Sequence, residues 1–178
     1  MMNYLDLPIG KEAPDIVECV IEIAKDTSVK YEYDEDMHVF RMDRCLISSM
    51  SYPASYGFIP STYADDDDAL DMLVYNSMPV ATGTCVKVRV LGCLDMTDDG
   101  KKDYKLVGVP LFNPNHYHDI SDLDPVFLKV TRNFFQHYKE LEGKDVQIDN
   151  WKSADFAKSV VETAHGRYLQ MRDAGFNH

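Results

Sequence analysis

Asp65 to Val74 reads DDDDALDMLV, four consecutive aspartates and a fifth at Asp71 before an apolar run. The switch from charge to Met72, Leu73 and Val74 marks a loop feeding a strand that starts at Asp71. On extended backbone Asp66 and Asp68, two apart, point the same way. Two readings stand open: a solvated acidic turn, because Asp is a turn former, or an oxygen-ligand site for a divalent cation. An EF-hand loop does not fit. Counted from Asp65, the sixth position is Leu70 where Gly is required, and counted from Asp95 the twelfth is Leu106 where Glu is required. A second acidic group, MTDDGKKD, sets Asp98, Asp99 and Asp103 around Gly100 and reads as a hairpin between VKVRVLG and YKLVGVP. If both loops meet at one end of a sheet, their carboxylates need cations or shared protons between them.

Outward from these loops, most of the chain is β-patterned. In VECVIEI, Val17, Cys19, Ile21 and Ile23 share one face, with Glu18, Val20 and Glu22 on the other. VKYEYD, HVFRMDRC, TCVKVRVLG and DYKLVGVP alternate similarly, the pattern of a half-buried or closed sheet. The last third changes period. Asp124 is a good N-cap and Pro125 a good first helical residue. From there Phe127, Val130, Phe134, Tyr138 and Leu141 predict one amphipathic helix reaching Gly143. A second is expected from Ser153, with Phe156, Val160, Ala164 and Tyr168 inward, and the closing MRDAGFNH is expected to fray or to lie against a neighbour. No linker or repeat divides residues 1–178, so a single domain is expected.

Composition narrows the function. At 178 residues and 45% hydrophobic, the chain buries a real core without staples. A net charge of −12 argues against wrapping nucleic acid or lying on an anionic membrane, and no segment approaches a membrane span. Basic residues are too sparse and too interleaved with acids for a nucleic-acid groove. The four cysteines, Cys19, Cys45, Cys85 and Cys93, lack zinc spacing and read as free thiols, so a cytoplasmic setting is expected.

Against this acidic background a few basic and aromatic residues stand out. Lys30 and Glu32 share one strand face, Arg44 ends a strand, Lys105 closes the second acidic hairpin, and Lys139 follows Tyr138 on the first helix. Tyr52 and Tyr56 frame SYPASYGFIP. Singly each is an ordinary surface charge or packing ring. Together, carboxylates for metal ions, cations for phosphate oxygens and phenol donors are the parts of phosphoryl transfer to water. No Walker-type glycine loop is present, and no Ser or Cys sits in a nucleophile motif.

LPIGKEAPD, VIEI, KYE, MDR, SYPASYGFIPST, DDDALD, MTDD, KLVGVP and FFQHYKELEGK span nearly the whole chain. Through them it resembles the soluble family I inorganic pyrophosphatases. The family spacing Asp-x-Asp-x-x-Asp is met by Asp66, Asp68 and Asp71, whereas a start at Asp65 puts Leu70 at the third acid. The resemblance implies an α+β, mainly β fold: a five-stranded OB-type barrel with flanking α-helices, two of them in the C-terminal third. It implies hydrolysis of inorganic diphosphate to two orthophosphates by metal-activated water or hydroxide, with several Mg²⁺ per site and Mn²⁺ as a substitute. Homo-oligomers, commonly hexamers, are expected by the same resemblance.

Carried over residue by residue, the resemblance implies that Asp66, Asp71 and Asp103 hold one cation, that Asp98 and Asp103 help hold substrate-associated metal, and that Glu22 and Glu32 act through coordinated water. Asp68 matches the proposed general base. Lys30, Arg44, Lys105, Tyr138 and Lys139 match phosphate contacts, and Tyr52 and Tyr56 tyrosines of the same pocket. Two positions depart from the family pattern. Ala69 stands where Pro is usual, which frees a fixed φ. Asp67 stands where Gly is common, which adds a charge and disfavours left-handed backbone.

Overall fold

The computed structural model describes residues 3–113, 116–144 and 146–175, so the last three residues of MRDAGFNH lie outside it. Its strands are β1 (Ile16–Ile23), β2 (Val29–Asp34), β3 (Val39–Cys45), β4 (Ser55–Phe58), β5 (Asp71–Val74), β6 (Cys85–Asp98), β7 (Lys101–Lys102), β8 (Lys105–Pro110) and β9 (Val146–Lys152). The helices are α1 (Pro125–His137) and α2 (Ala154–Asp173). β1 pairs antiparallel with β4, β4 with β5, β5 runs parallel to β8, and β8 pairs antiparallel with β6. β6 then returns antiparallel to β1, which closes a five-stranded ring, the OB-type barrel expected.

The 14-residue β6 makes that closure possible. Its first half, Cys85–Arg89, pairs with β1, and its second half, Cys93–Asp98, pairs with β9. Its pairing with β8 shifts register between Val90 and Gly92, and a Cβ on Gly92 would stand 2.5 Å from the Lys152 carbonyl oxygen. The β1 alternation holds, since Val17, Cys19, Ile21 and Ile23 are buried inside. Val20, on the opposite face, is buried as well, under Leu5, Phe58 and Ala69. β2 and β3 pair only with each other among the described strands, and most of their residues stay partly exposed.

One core cluster joins the barrel to Ala157, Val161 and Ala164 of α2. A second joins Tyr52, Tyr56, Leu73 and Leu94 to Phe134 and Phe135 of α1 and to Tyr138. The first helix ends earlier than its periodicity predicts. Tyr138 is its C-cap, and Lys139 leads into a separate 3₁₀ turn, Glu140–Glu142, that ends at the left-handed Gly143 (φ 73°). The stripe is also displaced: Val130 is 51% and Leu141 65% exposed, and Phe135 takes the inward place at 1%. The break accounts for Leu141, because residues beyond His137 no longer follow the helical phase; Val130 lies inside the helix, whose buried face runs through Thr131, Phe134 and Phe135 instead.

Asp119 ties the 3₁₀ turn Ile120–Asp122 to the start of α2. Its carboxylate accepts N–H bonds from Ser121 (3.1 Å) and from Ala154 at the start of α2 (2.8 Å). Burial opposes the ionised form, but these donors outweigh it and hold the carboxyl below the usual range. A depressed carboxyl contributes stability above its unfolded pKa, and that contribution is lost as pH falls through the folded value. Asp119→Ala is therefore expected to lose about 1–2 kcal/mol at neutral pH in urea unfolding, with the gap to the parent protein closing below about pH 4. Two glycines give opposite expectations. A Cβ on Gly57 would stand 1.9 Å from the Val20 carbonyl oxygen, where β4 crosses β1. Gly57→Ala is expected to cost about 3 kcal/mol or more. Gly166, inside α2 with nothing within 4 Å of such a Cβ, is expected to gain about 0.5–1 kcal/mol as Ala by thermal melting.

Candidate active site

At one end of the barrel a cavity of about 780 Å³ gathers residues from β1, β2, β5, β6, β8, the acidic loop and the end of α1. Glu22, Lys30, Glu32, Tyr52, Tyr56, Asp66, Asp68, Asp71, Asp98, Asp103, Lys105, Tyr138 and Lys139 all line it. Strand register explains the centre. β5 and β8 run parallel with Met72 opposite Leu106, so Asp71 and Lys105 enter their strands side by side. The Lys105 ammonium, 5% exposed, pairs with Asp71 and with Asp103 (2.6 Å) and donates to the Tyr56 hydroxyl at 3.1 Å. Burial opposes its charge, yet Asp71 and Asp103 outweigh that and raise its pKa well above the ordinary lysine value.

The hairpin read from MTDDGKKD forms as expected, with Asp99 and Gly100 both left-handed (φ 47° and 80°) between β6 and β7. It carries Asp98 at the end of β6, and the Asp103 N–H donates back to Met96 at 2.9 Å. Asp98 pairs with Lys139. The first acidic loop differs from its expectation, because residues 65–68 form a turn and not extended chain. Asp67 is left-handed there (φ 74°), although a non-glycine residue was expected to disfavour that conformation. Asp is among the residues that tolerate it, and the Ala64 N–H closes the turn on the Asp68 carbonyl at 2.7 Å. Ala69, in the proline position, is buried against Leu5, Val20 and Phe58.

The site is crowded with negative charge. Burial pushes Glu22 up to about 8, and Asp71 and Asp68 push the same way, against the Tyr33 N–H that donates to it at 2.8 Å. Burial raises Asp66 to about 6, with Asp103 and Asp71 adding repulsion. Asp68 and Asp103 are raised by burial too, the first opposed by the Ala69 N–H and the second by Lys105. Asp66 Oδ1 and Asp98 Oδ1 are buried without a hydrogen-bond partner. Among the described residues no three Asp, Glu, His or Cys side chains gather as a ready chelate, since Lys105 and Lys139 supply the counter-charge.

Arg44 is the exception among the sequence candidates. Its Nη1 lies 2.5 Å from Asp43 and its Nε 3.1 Å from Glu142, and it does not line the cavity. Sequence reasoning missed Glu35, Asp36, Tyr63 and Arg172, which do line it. The acidic run DED at Asp34–Asp36 was a usable signal for the first two. Arg172 carried none, because only the packing of α2 on the barrel brings it there.

With this geometry in place, known proteins supply the context. The family profile described as inorganic pyrophosphatase matches residues 19–169. Among curated relatives, the inorganic pyrophosphatase of Aquifex pyrophilus is 44% identical over 94% of this chain and 97% of its own. That of Aeropyrum pernix is 40% identical over 94% and 98%. Among solved structures, the inorganic pyrophosphatase from Thermus thermophilus superposes with a TM-score of 0.91 at 38% identity, covering 94% of this chain and 99% of that one. Profile, relatives and superposition agree along nearly all of the chain, which belongs to the inorganic pyrophosphatase family.

Proposed function

We propose that this chain hydrolyses inorganic diphosphate to two orthophosphates at the cavity built around Lys105. The observation that carries the reading is the convergence of Asp66, Asp68, Asp71, Asp98 and Asp103 with Lys30, Lys105, Lys139, Tyr56 and Tyr138 on one cavity. Cations and phenol donors alternate there with carboxylates, as a multiply charged phosphate that arrives with metal ions requires.

The residues fit divalent cations. Asp66 and Asp98 each carry a buried carboxylate oxygen with no partner, and an all-oxygen donor set suits Mg²⁺, with Mn²⁺ as a substitute. Asp66, Asp71 and Asp103 would hold one ion, Asp98 and Asp103 would hold substrate-associated metal, and Glu22 and Glu32 would act through water. Such ions, when bound, acidify water and neutralise phosphate oxygens. The chain's own residues do the remainder. Asp68, held by the Ala69 N–H at 2.8 Å, takes the proton from the attacking water. Lys30, Lys105, Lys139 and Tyr138 bind phosphate oxygens, and Tyr56, already hydrogen-bonded to Lys105, donates beside them. Arg44 joins them by exchanging Asp43 and Glu142 for phosphate.

The same reading places the chain in the cytoplasm as a homo-oligomer, hexameric in its family's manner, with residues 1–178 as one domain. All four cysteines are free, as a reducing compartment requires. Among the described residues no helix is long and apolar enough to cross a membrane. Val126, Val130 and Phe112 expose apolar surface that a second copy would cover.

The test is phosphate release by the purified protein from pyrophosphate, ATP and tripolyphosphate, with and without Mg²⁺. Fast, Mg²⁺-dependent release confined to pyrophosphate is expected. Asp68→Asn is expected to lower kcat by about 10²–10⁴-fold while the thermal midpoint stays close to that of the parent. Full turnover by that variant at every pH would remove Asp68 from its role, and release from ATP alone would overturn the substrate.

A further inference from the structure

Two aspartates of the 65–68 run, Asp65 and Asp67, take no part in the chemistry described above. Neither is idle. Asp65 Oδ1 lies 2.5 Å from Arg167 Nη1 on α2. Asp67 pairs with Lys101, which opens β7 just past the hairpin tip, and it accepts the Tyr63 hydroxyl at 3.1 Å. The partners lie on different elements, so the loop is held from two directions. Asp66, between the two anchor points, and Asp68, just past the second, line the cavity together with Asp67 itself. The hairpin that carries Lys101 also carries Asp98 on one side and Asp103 on the other.

Like charges push such a loop apart. Asp66 is repelled by Asp103 and Asp71, and no proline fixes position 69. Something must hold Asp66 and Asp68 in place before any cation arrives, because binding to a preformed site avoids the cost of ordering it.

We propose that the Asp65–Arg167 and Asp67–Lys101 pairs are two clamps that hold Asp66 and Asp68 in register with Asp98 and Asp103. Asp65, Asp67, Lys101 and Arg167 are then positioning residues for divalent-cation binding. This rests on the functional reading above, since the clamps prepare a site for the ions that reading requires. It goes beyond it by giving a role to charges that lie outside the ligand set.

The sign of one effect separates a clamp from an ordinary surface charge. Lys101 and Arg167 are cations close to a cation site. By electrostatics alone, removing either relieves repulsion and tightens Mg²⁺ binding. Removing a clamp weakens it. Lys101→Met and Arg167→Met alter side chains that are 50% and 41% exposed, so both variants are expected to fold, which circular dichroism checks.

The experiment is calorimetric Mg²⁺ titration of the full chain, as parent, as each single variant and as the double variant. It is joined by amide hydrogen exchange of residues 64–70 in cation-free protein. The expected result is affinity about threefold weaker for each variant and about tenfold weaker for both, the scale of exposed ion pairs, with faster exchange of the loop. Unchanged or tighter Mg²⁺ binding with unchanged exchange would overturn the clamps. The two failures are distinguishable. A parent protein that neither binds Mg²⁺ nor hydrolyses pyrophosphate sinks the functional reading, while the exchange measurement still decides whether the pairs restrain the loop. A parent that does both, with variants that bind equally well, sinks the clamps alone.

Discussion

The ammonium of Lys105 sits buried between Asp71 and Asp103, and the functional end of this barrel depends on that arrangement. An isolated charge in such a place costs several kcal/mol of lost hydration. Here the strand register supplies the partners. β5 and β8 run parallel and bring the first residues of both strands together, and Asp103 stands two positions before Lys105. The Tyr56 hydroxyl, on the neighbouring β4, accepts a further N–H of the ammonium. The result is a positive charge fixed at the floor of an acidic cavity, in place before a phosphate arrives.

Around that floor, negative charge exceeds what the lysines neutralise. Glu22 and Asp66 are pushed up by burial and by other carboxylates, and two buried carboxylate oxygens have no partner. Structural ion pairs alone do not ask for such crowding. Divalent cations would relieve it by taking the carboxylates, which would leave the lysines for phosphate in the exchange proposed above. The closed ring of strands makes the exchange tolerable. The five strands of the ring are each paired on both sides, so the strain of repulsion falls on the loops and leaves the barrel intact.

Much of this was legible in the sequence, and the failures are instructive. The β1 alternation placed Glu22 opposite a core of Val17, Cys19, Ile21 and Ile23, and the structure keeps it there. Asp66, Asp68 and Asp71, singled out by their spacing, do line one cavity, although the path is a turn through a left-handed Asp67 and not an extended segment. Helical periodicity carried α1 too far, because a helix pattern does not record where a cap intervenes, and Val130 and Leu141 were turned inward wrongly. Arg44 was matched by resemblance to a phosphate contact, and here its side chain pairs with Asp43 and with Glu142, the second of them nearly 100 residues away. Partnerships between distant segments, like the arrival of Arg172, are set by packing that no local pattern encodes.

The central claim is that the buried carboxylates are a divalent-cation site now balanced by lysine. The most direct measurement is anomalous diffraction from crystals of the protein grown with Mn²⁺. The account predicts anomalous peaks inside the cavity against Asp66, Asp71, Asp98 and Asp103, with the Lys105 ammonium withdrawn from at least one of its aspartates. A cavity without anomalous density at saturating Mn²⁺, with Lys105 still seated between Asp71 and Asp103, would contradict it.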